Sequence, residues 1–286
     1  MSNLNMDAFW MPFTPNRAFK QAPRMVKSAD GVFLTSSDNR RVLDATAGLW
    51  CVNAGHCRPE IADAVDQQLR KLDYSSVFNF GHELGFRYSE RLVNHTPEGL
   101  NHVFYGNSGS AAVDTALKIA MQYWSVKGQG RKQGFIGRQK SYHGVNFAGI
   151  AVGGLTNNHQ VFGQWLSVDH IRHISDIDRN AFSKGLPKNG FEWAEDLDEK
   201  IRFHGANTIA AVIVEPVAGA AGVFLPPEGY LKRLREICDE HDILLIFDEV
   251  ITGWGRVGSN FAADEFDVIP DMIISAKGIT NGALPL

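Results

Sequence analysis

The strongest constraint on this chain comes from short runs that carry almost no polar side chain: Ile209 to Val214 (IAAVIV), Ile243 to Phe247 (ILLIF) and Met272 to Ser275 (MIIS). Runs this short and this apolar, bounded by turn residues and without the alternation of a half-wetted strand, read as strands covered on both faces. Between two of them, Gly229 to Asp239 sets Leu231, Leu234, Ile237 and Cys238 at helical spacing. Upstream, Ala111 to Trp124 places Val113, Leu117, Ala120 and Met121 on one helix face, Gly134 to Arg138 reads as a further strand, and His102 to Tyr105 as another. Strands alternating with helices predict an α/β fold with a mainly parallel sheet flanked by helices.

The N-terminal part follows a different pattern. Arg24 to Asp44 contains β-prone runs separated by turn signals at Asp30-Gly31 and Ser36 to Asn39, which predicts a small antiparallel meander. Pro59 to Leu72 and Phe86 to Val93 have helical apolar spacing and are expected to pack into a core. Residues 155–200 are polar and irregular, and the pattern assigns little there.

Length and composition narrow the function classes. The 286 residues suggest about two domains at roughly 150 residues each. The 28 basic and 32 acidic residues are interspersed, and a net charge of -4 without a basic stripe argues against nucleic acid as a partner. The longest apolar stretch, Ile209 to Leu225, is broken by Glu215 and Pro216, so no membrane span is expected. Cys51, Cys57 and Cys238 are odd in number and match no zinc or disulfide spacing, which points to a reducing, cytoplasmic setting. The N-terminus lacks the pattern of an export signal. The apolar ending GALPL is expected to be a truncation rather than a natural terminus.

In open α/β sheets ligands sit beyond the carboxyl ends of the strands, so the residues that follow each strand carry the chemistry. Gly106-Asn107-Ser108-Gly109-Ser110 opens the long helix, where free amides and the helix dipole attract an anion; the alternative is a plain turn capped by serine. It is neither a Walker A loop nor a nucleophile elbow, since Ser110 stands where the elbow needs glycine. Asp248-Glu249 ends ILLIF; in an extended chain Asp248 and Val250 share one side and Glu249 faces the other. Asp248 could thus meet the edge of a cationic ring and Val250 its face, unless both acids are simply solvated. Lys277, between Ala276 and Gly278, suits a buried amine able to form a Schiff base, though a surface lysine is the plainer reading. Tyr142-His143-Gly144 and Glu215-Pro216 close two more strands, and Tyr142 could stack on a flat ligand or sit in the core. Gly253 to Gly258 spells G-x-G-x-x-G, but five residues separate it from its strand and Pro270 follows too soon for a long helix. His170 and His173 lack a third partner in sequence, so no metal site is expected.

A phosphate cradle, a carboxylate for a ring nitrogen, apolar and aromatic ring faces and a Schiff-base lysine are jointly what pyridoxal phosphate needs. The stretches YGNSGSAAVDTALK, SYHG, VEPVAGAAGV, LLIFDEVITGWGRVG and SAKGITNGALP resemble the class III aminotransferases. Within that family, MPFTPNR, GLWCVNAGH, LDYSS and PPEGYLKR are most similar to the ω-amino acid:pyruvate (β-alanine:pyruvate) branch.

The resemblance implies the fold type I of pyridoxal-phosphate transferases. It also implies Lys277 as the Schiff-base lysine, Asp248 at the ring nitrogen, and Ser108, Gly109 and Ser110 around the phosphate. Tyr142, with His143 beside it, would stack on the ring, Val250 would cover the opposite face, Glu215 would support Asp248, and Phe13 and Trp50 would line the substrate pocket. Residues 1–58 would belong to a small domain and 59–286 to an incomplete large domain, with the C-terminal small domain and its substrate-binding arginine absent. The implied partners are an amino donor, a keto acid and a second copy of the chain, as a homodimer or a dimer of dimers. Open alternatives are a mutase, racemase or decarboxylase on the same cofactor cage, a nicotinamide or flavin oxidoreductase using Gly253 to Gly258, or an inactive fragment.

Overall fold

The turn-rich N-terminal segment folds as its pattern predicts. A computed structural model describes residues 4–162, 166–174 and 185–286. In it, β1 (Val26–Asp30), β2 (Phe33–Ser36) and β3 (Arg41–Leu43) form an antiparallel meander turning at the two expected sites. This meander lies in the first of two compact units, Met1–Asp73; the second is Tyr74–Leu286. The helix Pro59–Lys71 lies within the first unit.

In the first unit one carboxylate organises the loop 44–56. Asp44 accepts hydrogen bonds from Thr46 N (3.2 Å) and Oγ1 (2.9 Å), from Gly48 N (2.7 Å) and from His56 Nε2 (2.7 Å). The His56 bond, followed by that from the Thr46 hydroxyl, lowers the Asp44 pKa to about 2.

In the second unit β4 (Gly134–Arg138), β5 (Val168–Ile171), β6 (Ile209–Val214), β7 (Leu244–Asp248) and β8 (Met272–Ile274) form a parallel sheet in the order β5-β4-β6-β7-β8. Strict alternation divides their side chains between two faces. Ile136, Val212, Val214, Leu245 and Phe247 pack with Leu197 and Ile201 of helix Glu195–His204 and with Leu234 and Ile237 of helix Tyr230–Glu240. Phe135, Ala211, Ile213, Ile246 and Ile274 face Val113, Leu117 and Ala120 of helix Gly109–Val126. Trp124 of that helix donates its indole hydrogen to Ala210 O at 2.8 Å, which satisfies a polar group inside the core. The three layers match the expected α/β fold with its parallel sheet.

The strand order reverses once. From β4 the chain moves outward to β5, then returns across β4 to lay down β6, so the carboxyl ends of β4 and β6 flank a topological switch point.

Three sequence expectations need correction. His102 to Tyr105 is not a strand: no described neighbour takes its backbone into a ladder, and Phe104 is exposed. Helices Pro59–Lys71 and Glu83–Val93 form, but the first buries no residue and the second only Leu92, so their apolar faces stay largely open. Within 155–200 the structure adds β5, whose apolar pattern is interrupted by Asp169 and His170, as an edge strand allows.

Leu245→Ala should cost about 3 kcal/mol in urea unfolding, since the residue is fully buried in a central strand. Asp44 should contribute stability that is complete above its unfolded pKa of 3.8 and lost as the pH falls towards about 2. The stability gap between the unaltered protein and Asp44→Asn, followed by circular dichroism, should therefore close over that window.

Candidate active site

The second unit gathers most of the sequence-predicted residues at the carboxyl edge of its sheet. Asp248 ends β7 with 6% of its surface exposed, and Glu249 is fully buried. As alternation requires, the two carboxylates go opposite ways. Glu249 accepts from Thr252 Oγ1 (2.8 Å), Ala262 N (2.5 Å) and Ala263 N (2.9 Å), and burial raises its pKa. Asp248 accepts from His143 Nδ1 at 2.8 Å and from Val250 N at 3.1 Å. Two protein donors leave this carboxylate with acceptor capacity for a third.

Across the switch point, Glu215 follows β6 and accepts from Tyr142 N (3.0 Å) and Gly219 N (2.9 Å). Desolvation raises its pKa, with the Asp248 charge adding to the effect and His143 and Arg138 opposing it. Tyr142 is half-buried, and its phenol pKa is raised first by burial and then by the nearby Asp248. These shifts tie Tyr142, His143, Glu215 and Asp248 into one electrostatic group.

The turn that opens helix Gly109–Val126 joins them. Ser108 is its N-cap, its hydroxyl accepting from Ala111 N at 3.1 Å. The amides of Gly109 and Ser110 lie in the first turn, where the helix offers them no carbonyl. Ser110 Oγ accepts from Val145 N at 3.0 Å and retains its own hydrogen for a further partner. A methyl group on Gly109 would approach Val250 Cγ2 to 3.1 Å and Ala276 Cβ to 3.6 Å, so this turn, the loop after β7 and the residue before Lys277 converge. Lys277 leaves β8 in the left-handed conformation, φ 52°, and starts the 3-10 turn Lys277–Thr280. Asp248 is in register with Ile274, which puts the lysine beyond the same sheet edge.

The arrangement fits the expected cofactor on this chain's own geometry. A glycine-lined cradle with first-turn amides suits a phosphate. A buried carboxylate with spare acceptor capacity suits a protonated ring nitrogen, and Tyr142 and Val250 offer an aromatic and a branched apolar surface. Phe13, exposed with φ 49°, and Trp50, partly buried with φ 64°, belong to the first unit.

Sequence reasoning missed Arg138. It is fully buried at the end of β4 and donates from Nη2 to Glu215 O at 2.6 Å, tying the two switch-point strands together. A charged residue ending the apolar run GFIGR was the available signal. Among the described residues no group of three His, Cys, Asp or Glu side chains could hold a metal ion, and no helix is long and apolar enough to cross a membrane.

A family model described as aminotransferase class-III matches residues 15–286, and the chain belongs to that family. It is 56% identical over 98% of its length to an omega-aminotransferase of Caulobacter vibrioides. It is 51% identical over its whole length to an omega-amino acid–pyruvate aminotransferase of Pseudomonas putida. The chain spans 64% of the length of each of these relatives. Among solved structures, a transaminase from a marine Virgibacillus superposes with a TM-score of 0.91 at 37% identity, covering 98% of this chain and 62% of that one. An amine transaminase from an uncultivated Pseudomonas, solved in its PLP-bound form, gives 0.89 at 38% identity, covering 97% and 64%. Both are transaminases, the second with PLP bound, and the chain shares their fold.

Gly144→Ala should disrupt the site. Gly144 has φ 99°, and an added methyl would fall 2.5 Å from Ser110 Oγ and 2.8 Å from its Cα. A loss of about 2 kcal/mol in urea unfolding and weaker binding in a pyridoxal phosphate titration are expected.

Proposed function

We propose that the protein is a pyridoxal-phosphate aminotransferase that moves an amino group from an ω-amino acid such as β-alanine, or from an amine, to pyruvate, giving alanine. The observation that carries the reading is Asp248: a buried carboxylate at a strand's carboxyl end, oriented by His143, with Lys277 delivered beyond the same edge. When bound, pyridoxal phosphate supplies an electron sink that makes a carbon–hydrogen bond beside the amino group acidic.

This chain's residues would do the rest. Gly109, Ser110 and the capped turn at Ser108 would hold the phosphate with amide and hydroxyl hydrogens and the positive end of the helix dipole. Asp248 would keep the proton on the ring nitrogen, and His143 would hold the carboxylate in place. Glu215 would anchor the backbone of Tyr142, so that the phenol ring and Val250 bracket a flat ligand. Lys277 Nζ would anchor the cofactor and then, as a free amine, take and return the substrate proton. An amino donor and a keto acid are the substrates on this reading, and names of relatives such as omega-amino acid–pyruvate aminotransferase support the choice.

The remaining assignments belong to the same proposal. Phe13 and Trp50 would line the substrate pocket, and residues 1–58 would belong to a small domain. Self-association as a dimer or a dimer of dimers is supported by the exposed Val77, Phe78, Phe80 and Phe86. The odd number of cysteines supports a cytoplasmic location.

Reduction of the cofactor-loaded whole protein with borohydride should leave a pyridoxyl group on Lys277; an unlabelled Lys277 would overturn the reading. Asp248→Asn should lower the rate of alanine formation from β-alanine and pyruvate by at least about a hundredfold. Product formed without any keto acid would instead favour a decarboxylase, mutase or racemase.

A further inference from the structure

The segment Gly253 to Gly258, whose spacing imitates a dinucleotide fingerprint, folds as a series of turns followed by the short helix Ala262–Glu265. It supplies none of the groups assigned above, yet one of its side chains reaches the lysine-bearing strand. Trp254 donates its indole hydrogen to Ser275 Oγ at 2.6 Å. Ser275 follows β8 directly and stands two residues before Lys277. We propose that Trp254 is a positioning residue for Lys277, acting through Ser275 to hold the turn from which the lysine leaves the sheet.

Backbone strain at Trp254, and at Lys277 two residues beyond its partner Ser275, supports the assignment. Trp254 has φ 59° and Lys277 has φ 52°, left-handed conformations that are unfavourable for residues with a side chain, above all for one as bulky as tryptophan. Such strain persists only where the surroundings over-determine it, and it concentrates where function needs a fixed geometry. The surroundings of Trp254 meet that condition. Its amide donates to Asn260 O at 2.6 Å, and its ring meets Phe261 edge-on at 5.1 Å. The buried Glu249 holds Thr252, Ala262 and Ala263 on either side of it.

On the lysine side, Glu249 N donates to Ile274 O at 2.9 Å and Gly282 N to Lys277 O at 3.2 Å, which fixes the chain before and after the turn. The indole bond to Ser275 fills the interval between these two anchors. A continuous path of contacts therefore runs from Glu249, the neighbour of Asp248, through the Trp254 loop to the residue pair that carries Lys277.

The reason for such a clamp is chemical, and it rests on the reading of Lys277 as the residue that bonds the cofactor. A lysine that alternates between a covalent bond and an amine is bonded to the cofactor in only half of its cycle. In the other half protein contacts alone, among them Gly282 N to Lys277 O, keep the turn in place and Nζ near the proton it must move. A hydrogen bond to Ser275, independent of the state of Lys277, keeps the turn the same in both halves.

The test uses the whole protein with pyridoxal phosphate and the variants Trp254→Phe, Ser275→Ala, their combination, and Ser275→Thr, which keeps a hydroxyl. Phenylalanine preserves a ring against Phe261 and removes only the donor. Each of the first two changes should slow a single half-reaction by about tenfold, with the double variant no slower than either. Ser275→Thr should stay near the unaltered rate. The pH midpoint of the absorbance of the Lys277-bound cofactor should move by the same amount in the three defective variants. In cofactor-free protein, amide exchange over residues 276–282 should quicken in those three. Unchanged midpoint and exchange in Trp254→Phe, or effects that add in the double variant, would overturn the clamp. Borohydride labelling separates the two ideas: a label on Lys277 with additive effects defeats the clamp alone, whereas no label in the unaltered enzyme defeats the reading of the lysine and the clamp with it.

Discussion

Two carboxylates in succession at the end of an apolar strand are the constraint on which this structure turns. Asp248 and Glu249 are both buried, and a buried charge without partners costs several kcal/mol. Because successive residues of an extended chain face opposite ways, no single set of donors can serve both. Glu249 is met by Thr252, Ala262 and Ala263, and in satisfying it the chain is forced to fold back into the loop that follows β7. Asp248 is met by His143 and Val250, which draws the loop after β4 across the sheet edge. One acid thus builds the scaffold and the other builds the site.

The strand order explains why those partners come from distant parts of the sequence. Reversal between β4 and β6 opens a gap at their carboxyl ends, and Arg138, Tyr142, His143 and Glu215 meet there. Arg138 reaches the carbonyl of Glu215 from one strand, while the Glu215 side chain returns to the backbone of Tyr142. Opposite, the first turn of helix Gly109–Val126 closes on Val250 and Ala276. The turn at Ser108, the Asp248 carboxylate and Lys277 are therefore brought together by a sheet whose strand pairings join residues remote in sequence.

Much of this was legible in the amino-acid sequence, for physical reasons. Strands buried on both faces announce themselves by unbroken apolar runs, so β6 and β7 are legible nearly to the residue, and the edge strand β8, partly exposed, is legible because its run MII is unbroken too. The Asp248–Val250 relation followed from alternation alone. Edge and unpaired segments were harder to read. Asp169 and His170 disguised β5, and Val103 with Phe104 imitated a strand for which the described chain supplies no ladder. Amphipathic spacing predicted the helices Pro59–Lys71 and Glu83–Val93 correctly but could not tell whether anything covers them. The His143–Asp248 bond joins residues far apart in sequence, and no local pattern encodes it. Arg138 and Trp254 carry no local signal, because the side-chain bonds that join them to Glu215 and Ser275 link residues far apart in sequence.

The contact between His143 and Asp248 has a further consequence for the state of the imidazole. An ionised carboxylate can only accept, so the hydrogen in that contact must sit on Nδ1. In the neutral ring this leaves Nε2 as a bare lone pair, buried and without a partner among the described residues. The tautomer is therefore selected by the fold rather than by the solvent. The ring dipole has one orientation, with its positive end against Asp248, and turning the ring over would present a carbon to the carboxylate. Where the ring is neutral, His143 thus presents a dipole of one orientation behind the acid.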